Sequence, residues 1–225
     1  MEKEFVIEGL RLTQEKCAMK IGTDGVLLGR WATLQPKEAT TARRVLDIGT
    51  GTGLLALLIA VRYPDTKVTA IDIDEGACQQ AFENVARNNL QQRVEVRHCA
   101  LQEFCAEENS GGYDMIICNP PYFQNSLKCP DQQRNLARHT DSLSFHDLMR
   151  ATAQLLDKQG TISLIIPSEV KDDVDFDATL AGLFPSKIYG VKTSPKKPVR
   201  RYLLEFSKQP KTIDVGEGTI NEFAP

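Results

Sequence analysis

With 225 residues, 41% apolar and 25% charged, the chain has the makeup of an ordinary globular protein with room for one good core. No apolar run reaches the length of a membrane span, and the opening MEKEFVIEGLR has no signal-peptide core. The net charge of −3 argues against a generic nucleic-acid binder. Cysteines 17, 78, 99, 105, 118 and 129 form no C-x-x-C pair and histidines 98, 139 and 146 add no metal spacing, so reduced thiols, no metal site and a cytoplasmic location are expected.

The first elements are a predicted hairpin, EFVIEGLRLTQ, and a helix opening at Thr23. In CAMKIGTDGVLLGRWA (17–32), Thr23 or Asp24 is the expected helix cap, and Val26, Leu27 and Trp31 can pack back on a sheet. Lys20, Thr23 and Asp24 are then expected to approach the active cleft. RRVLDI (43–48) is an apolar, partly β-branched strand that runs into Gly49, Gly51 and Gly53, after which LLALLIAVRY has helical spacing. Glycines between a strand and a helix permit a tight turn and close approach to a ligand, and the helix start offers free N–H groups. The spacing is G-x-G-x-G, not the dinucleotide G-x-G-x-x-G. KVTAIDID (67–74) is the next strand and brings Asp72 to its end, 19 residues past Gly53. A carboxylate there can accept bonds from both hydroxyls of a ribose. Loop and acid in this order point to an adenosine-containing cofactor at the switch point of an open sheet, without choosing which one.

EGACQQAFENVARNN (75–89) reads as a helix, RVEVRHC as a strand, and YDMIICN as a strand after a Gly-Gly turn. That last strand ends in Asn119, Pro120, Pro121 and Tyr122. The fourth strand of such a sheet ends at the ligand cleft, so Asn119 is expected beside the reacting group. Two prolines fix the backbone and remove N–H donors, leaving the Asn119 side-chain oxygen and the Pro120 carbonyl as a rigid pair of acceptors beside the Tyr122 ring. Such a site suits a planar amine on an sp² carbon. The acceptors hold its N–H hydrogens, and those bonds strengthen as the nitrogen becomes positive. A stacked ring adds about 1–3 kcal/mol per base.

SFHDLMRATAQLL is a predicted helix, GTISLIIP a strand, DFDATLAGLF a short helix, and KIYGVKT and RRYLLEF two strands with only SPKKPV between them. Strands alternating with helices predict an α/β doubly wound, mostly parallel sheet, closed by an antiparallel edge hairpin. Between Ser186 and Lys211 stand eight Lys or Arg and one acid, Glu205, for a net +7 that leaves −10 elsewhere. One face for a polyanion on an otherwise repelling body is one reading, and a solvated basic hairpin is the other. The expected organisation is an N-terminal hairpin and cap helix (1–42), a catalytic domain (43–208) and a polar tail (209–225).

The segment from Asp47 to Gly53 together with Asp72 resembles the first two motifs of class I S-adenosylmethionine-dependent methyltransferases, whose sheet is seven-stranded with a reversed edge hairpin. The resemblance implies S-adenosyl-L-methionine as cofactor. Gly49, Thr50, Gly51 and Gly53 would line its methionine end, Asp47 would brace the amino-acid group, and Asp72 with Ile73 would take the ribose side. An acidic residue common after the third strand is replaced by Ala100, so adenine recognition would fall to backbone at Ala100 and Leu101 or to Gln102. NPPY resembles the [N/D]-P-P-[Y/F/W] motif of amino-methyltransferases acting on adenine N6, cytosine N4 or the glutamine side-chain amide.

The segment KIGTDGVLLGRWA (20–32), NPPYF and RNLARH (134–139) together resemble the small bacterial tRNA (adenine-N6)-methyltransferases that act on adenine 37, the purine 3′ to the anticodon of a valine tRNA. The likeness spans residues 5 to about 208. It implies that Lys20, Thr23 and Asp24 border the cofactor, and that Arg134, Arg138, His139, Lys196, Lys197, Arg200 and Arg201 face the tRNA. The enzyme is expected to act as a monomer. A protein glutamine N5-methyltransferase would use the same loop but is expected to need more chain before Arg43, and a DNA adenine methyltransferase would carry a target-recognition insert. A non-catalytic adenosyl-ligand- or tRNA-binding module would need no NPPY, and the glycine spacing disfavours a nicotinamide reductase.

Overall fold

The computed structural model describes residues 4–36, 42–107, 111–120 and 143–223. Its central strands read as largely apolar runs because the sheet they form is covered on both faces. A small antiparallel hairpin comes first, β1 (Phe5–Ile7) with β2 (Leu10–Leu12). The main sheet follows, made of β3 (Arg43–Ile48), β4 (Thr66–Asp72), β5 (Val94–His98), β6 (Tyr113–Cys118), β7 (Leu156–Pro167), β8 (Phe184–Lys192), β9 (Val199–Ser207) and β10 (Asp214–Thr219). Its order is β10-β8-β9-β7-β6-β3-β4-β5, with β9 the reversed strand between β7 and β8. The chain switches sides between β3 and β6, which is where an open sheet of this kind leaves a crevice at its carboxyl ends.

The expected doubly wound sheet is present and carries an eighth strand. Residues 214–219 lie within the stretch expected to be a polar tail, yet they pair in parallel with β8, Asp214 opposite Lys187 and Thr219 opposite Lys192. The predicted edge hairpin is therefore covered on its outer side. The strand escapes a sequence reading because DVGEGT has one apolar side chain, Val215, and that one is exposed; the strand is held by its backbone pairing and by Glu217 with Lys192. After it, a short 3₁₀ turn at 220–223 brings Ile220 against the core beneath the N-terminal helix.

Among the described residues, six α-helices flank the sheet. One face carries α1 (Thr23–Trp31), α2 (Leu54–Arg62) and α3 (Glu75–Arg87), around a core that includes Val45, Val68, Met115, Ile165 and Leu203. The other carries α4 (Leu101–Glu107), α5 (Phe145–Leu155) and α6 (Lys171–Leu180), around Leu46, Ile71, Phe104, Ile116, Leu164 and Phe206. Helix α2 is apolar all round, with Leu54 through Ala60 buried, because α1 covers the side it turns away from the sheet. Gly25 and Gly29 make that contact close: a Cβ on Gly29 would lie 2.5 Å from Leu58 Cδ1, and one on Gly25 would lie 3.0 Å from Leu54 Cδ2. The expected packing of α1 is seen, Leu27 buried and Val26 and Trp31 partly so. Its cap differs: the N-cap is Gly22, and no side chain caps the helix. The Asp24 carboxylate is engaged elsewhere. No helix among the described residues is long and apolar enough to cross a membrane.

Candidate active site

Strand register brings the main site residues to one edge. Cys118 of β6 is level with Ile48 of β3, and Ile48 with Ile71 of β4. The residues that follow on the three adjacent strands are Asn119, Gly49 and Asp72. Strands are spaced about 4.8 Å apart, so these residues share one rim of the sheet. His98, the last residue of β5, is level with Asp72 and extends the rim.

The glycine loop takes its shape from left-handed backbone at Gly49 (φ 69°), Gly51 (φ 55°) and Gly53 (φ 81°), a conformation that favours glycine. Its amides are organised by the neighbouring strand: Gly49 N and Thr50 N donate to the Ile71 carbonyl at 2.9 and 3.0 Å, and Gly51 N donates to Asp72 Oδ2 at 2.8 Å. Gly53 is pressed on α3, where a Cβ would meet Ala81 at 3.3 Å, whereas a Cβ on Gly49 would meet nothing within 4 Å. The loop is thus packed at its base and open at its crest.

Asp47 lies beneath this loop and is completely buried. Its Oδ2 accepts from Thr50 Oγ1 at 2.6 Å and Ala56 N at 3.1 Å, while Oδ1 has no hydrogen-bond partner among the described residues. Burial pushes its pKa up to about 7, against the opposing pull of those two hydrogen bonds, and the Asp72 carboxylate adds to the rise. An orphaned buried carboxylate oxygen is costly and calls for a donor or a cation. Asp72 is half-buried at the strand end, with Oδ2 on Gly51 N and Oδ1 on Asp74 N at 3.0 Å. Each oxygen keeps a further lone pair for an incoming hydroxyl. Ile73 beside it is 59% exposed, an apolar side chain next to a polar acceptor.

Several groups at this rim carry no clear sequence signal. His98 Nε2 makes a 3.0 Å hydrogen bond with the Ile73 carbonyl, tying the end of β5 to the segment after Asp72. Ala100 N donates to Glu103 Oε2 at 3.1 Å, so the amide expected to meet a ligand is engaged by a carboxylate three residues on. That spacing is the back half of a capping box and was the one available cue. Leu101 is buried, and Gln102 is exposed. Cys17 sits under Gly51, 3.7 Å from where a Cβ would be, and burial raises its thiol to about 11.

Asn119 is half-buried and Pro120 buried. A Cβ on Gly25 would come within 3.9 Å of Asn119 Nδ2, which sets the first turn of α1 against the end of β6. Pro121, Tyr122, Arg134, Arg138 and His139 lie outside the described residues. Lys20 and Thr23 are exposed; Lys20 Nζ donates to the carbonyls of Gln14 and Cys17 and holds the preceding loop. Asp24 meets Arg201 in an ion pair, Nε to Oδ2 at 2.8 Å.

The basic segment divides once its partners are known. Lys187 pairs with the buried Glu205 at 3.2 Å, Lys192 with Glu217 of β10 at 2.6 Å, and Lys208 Nζ donates to the Leu156 carbonyl at 2.6 Å. Lys196 and Lys197 are exposed on the turn between β8 and β9, and Arg200 is exposed at the start of β9. That turn follows Lys192 and precedes Val199, at the same sheet edge as Asn119.

Residues 31–181 match the family described as methyltransferase small domain. The tRNA1(Val) (adenine(37)-N6)-methyltransferase of Bacteroides thetaiotaomicron is 45% identical over 204 residues, 90% of this chain and 83% of that protein. The protein of the same name from Parabacteroides distasonis is 45% identical over 206 residues, 92% of this chain and 84% of its own length. Among solved structures, a predicted O-methyltransferase from Agrobacterium tumefaciens superposes with a TM-score of 0.63 at 18% identity, covering 87% of this chain and 85% of that one. A ribosomal protein L11 methylase from Lactobacillus delbrueckii gives 0.56 at 19%, covering 83% and 77%. The two structures share the fold. The sequence match, extending from the end of α1 through the glycine loop to α6, carries the kinship, and the chain belongs to the methyltransferase small domain family.

Proposed function

We propose that this chain methylates the exocyclic N6 amine of an adenine in tRNA, at adenine 37 beside the anticodon of a valine tRNA, with S-adenosyl-L-methionine as methyl donor. The observation that carries the reading is Asn119 and Pro120 on the rim shared by Gly49 and Asp72. The names and 45% identity of the relatives support the substrate, and the exposed Lys196, Lys197 and Arg200 on the same edge support a polyanionic one.

The residues present fit the donor. The unpartnered Oδ1 of Asp47 suits an ammonium or a water held by it, the open crest at Gly49 admits a chain close to backbone, and Asp72 keeps lone pairs for two hydroxyls. The exposed Ile73 offers a face to a flat ring. When bound, the donor supplies a methyl group on a sulfonium sulfur, which leaves as a neutral thioether.

The remaining work belongs to the chain. The adenine amine is a poor nucleophile because its lone pair is delocalised into the ring. The Asn119 side-chain oxygen and the Pro120 carbonyl accept its two N–H hydrogens and favour pyramidal nitrogen, turning the lone pair toward the methyl carbon. As the N–C bond forms, the nitrogen becomes positive and both bonds strengthen, so they act on the transition state. The product ammonium is acidic and releases a proton to water. A base in an unpaired loop is extruded at less cost than one in a duplex, which suits a chain of this size. The reaction belongs in the cytoplasm, where tRNA is found.

The test is transfer of labelled methyl to tRNA from cells lacking the enzyme, followed by nucleoside analysis. Label recovered as N6-methyladenosine is expected. Label in protein and none in tRNA would replace this reading with glutamine methylation.

A further inference from the structure

We infer that Asp24 and Arg201 are a positioning pair for methyl transfer: their ion pair fixes the first turn of α1 as a wall of the pocket in which Asn119 receives the acceptor base. The inference rests on the adenine reading above. The pair joins residues 177 apart in the chain, with both side chains partly exposed, at 25% and 35%. Arg201 stands opposite Pro167 at the carboxyl end of β7, two strands from Asn119. Asp24 is followed directly by Gly25, the residue of α1 that faces Asn119 Nδ2.

The first turn of α1 lacks a local lock. Its N-cap is glycine, no side chain caps its amides, and the acid in that turn, Asp24, points its carboxylate at Arg201 instead. Helix ends without side-chain caps fray, so the restraint has to come from outside the helix. Arg201 supplies it through a directional, charge-assisted Nε bond. The same guanidinium donates from Nη1 to the Arg200 carbonyl at 3.0 Å. It therefore connects the start of β9, beside the turn of Lys196 and Lys197, to the helix turn that borders Asn119. Arg201 acts through α1, as a positioning residue, and the exposed Lys196, Lys197 and Arg200 are left to meet phosphate.

The experiment is a double-mutant cycle with Asp24→Asn, Arg201→Gln and the two combined, plus Arg201→Lys as a variant that keeps the charge. Methylation of unmodified tRNA gives kcat and KM. S-adenosylhomocysteine titration gives donor-site affinity, and thermal melting reports folding. Misplacement of a reacting group by about 1 Å costs on the order of 100-fold, so each single change should lower kcat by about 10- to 100-fold. KM for tRNA and S-adenosylhomocysteine affinity should stay within about two-fold, the double variant should lose no more than either single one, and Arg201→Lys should keep part of the rate. Unchanged kcat, or additive losses, would overturn the pairing. A fall in S-adenosylhomocysteine affinity matching the fall in rate would make Asp24 a donor contact, and a raised KM with kcat intact would make Arg201 a phosphate contact; either overturns it. Wild-type protein that methylates no tRNA would instead sink the adenine reading itself, before any variant is compared.

Discussion

Asp47 is a fully buried carboxyl with one oxygen satisfied and the other without a partner among the described residues. Its folded pKa is raised to about 7, from an ordinary value near 4, chiefly by burial. A raised carboxyl pKa means that the folded protein holds this proton more tightly than the unfolded chain. The stabilisation is complete below the unfolded pKa and is lost as pH rises through 7. Asp47→Asn removes that dependence, so its melting temperature relative to wild type should climb between pH 5 and pH 8. Equal pH profiles for the two proteins would contradict the assignment. If the carboxylate meets the ammonium of the donor, S-adenosylhomocysteine should bind wild type more tightly at pH 8 than at pH 6, and the Asp47→Asn variant should show no such gain. At this scale the shape of the rim was legible: the three glycines turn the chain where β3 ends, and Asp72 ends β4 beside them. The Asp24 contact with Arg201 was not, because nothing local announces a pairing across 177 residues. Nor was the Glu103 bond to Ala100, which fills the amide nearest the missing acid.

Helix α1 packs closely on α2 and sets its first turn against the end of β6. Its contact with α2 is set by Gly25 and Gly29, one turn apart on the same side. Replacing an ordinary helix glycine by alanine gains about 1 kcal/mol from backbone entropy. At Gly29 the new methyl group would stand 2.5 Å from Leu58 Cδ1, 3.3 Å from Leu58 Cβ and 3.5 Å from Leu55 Cδ2, and both leucines are buried. Overpacking of this kind costs about 1–3 kcal/mol, so the steric term should win and Gly29→Ala should lower stability in urea unfolding. A gain in stability would show that α1 rides farther from α2. The periodicity of GTDGVLLGRW revealed the helix and its buried residues but not its distance from α2, since glycine reads equally as a weak helix residue or as a close contact. Strand β10 was missed for a related reason. Exposed, polar side chains carry no period, and only its pairing with β8 defines it.

The whole molecule separates charge by position. Of the eight bases between residues 186 and 211, Lys187, Lys192 and Arg201 are paired with acids, and Lys208 caps a carbonyl. Lys211 is exposed past the end of β9, while Lys196 and Lys197 on the turn after β8 and Arg200 at the start of β9 are exposed on the side of the sheet that carries Asn119. Summed charge overstated the patch, and the register of the hairpin located it. If that turn meets phosphates, Lys196→Ala with Lys197→Ala should weaken tRNA binding and reduce the slope of log affinity against log salt by about 1 per lysine. An unchanged slope would mean that the turn is only solvated. Asn119 shares its rim with Gly49 and Asp72, and the turn after β8 lies along the same side of the sheet. The decisive measurement is single-turnover methylation of unmodified tRNA by wild type and by Asn119→Ala, with S-adenosylhomocysteine affinity measured alongside. Loss of one preorganised acceptor should slow the step by about 100- to 1,000-fold, with S-adenosylhomocysteine affinity changed by less than a few-fold. A variant that transfers methyl to adenine N6 at the parent rate would contradict the account.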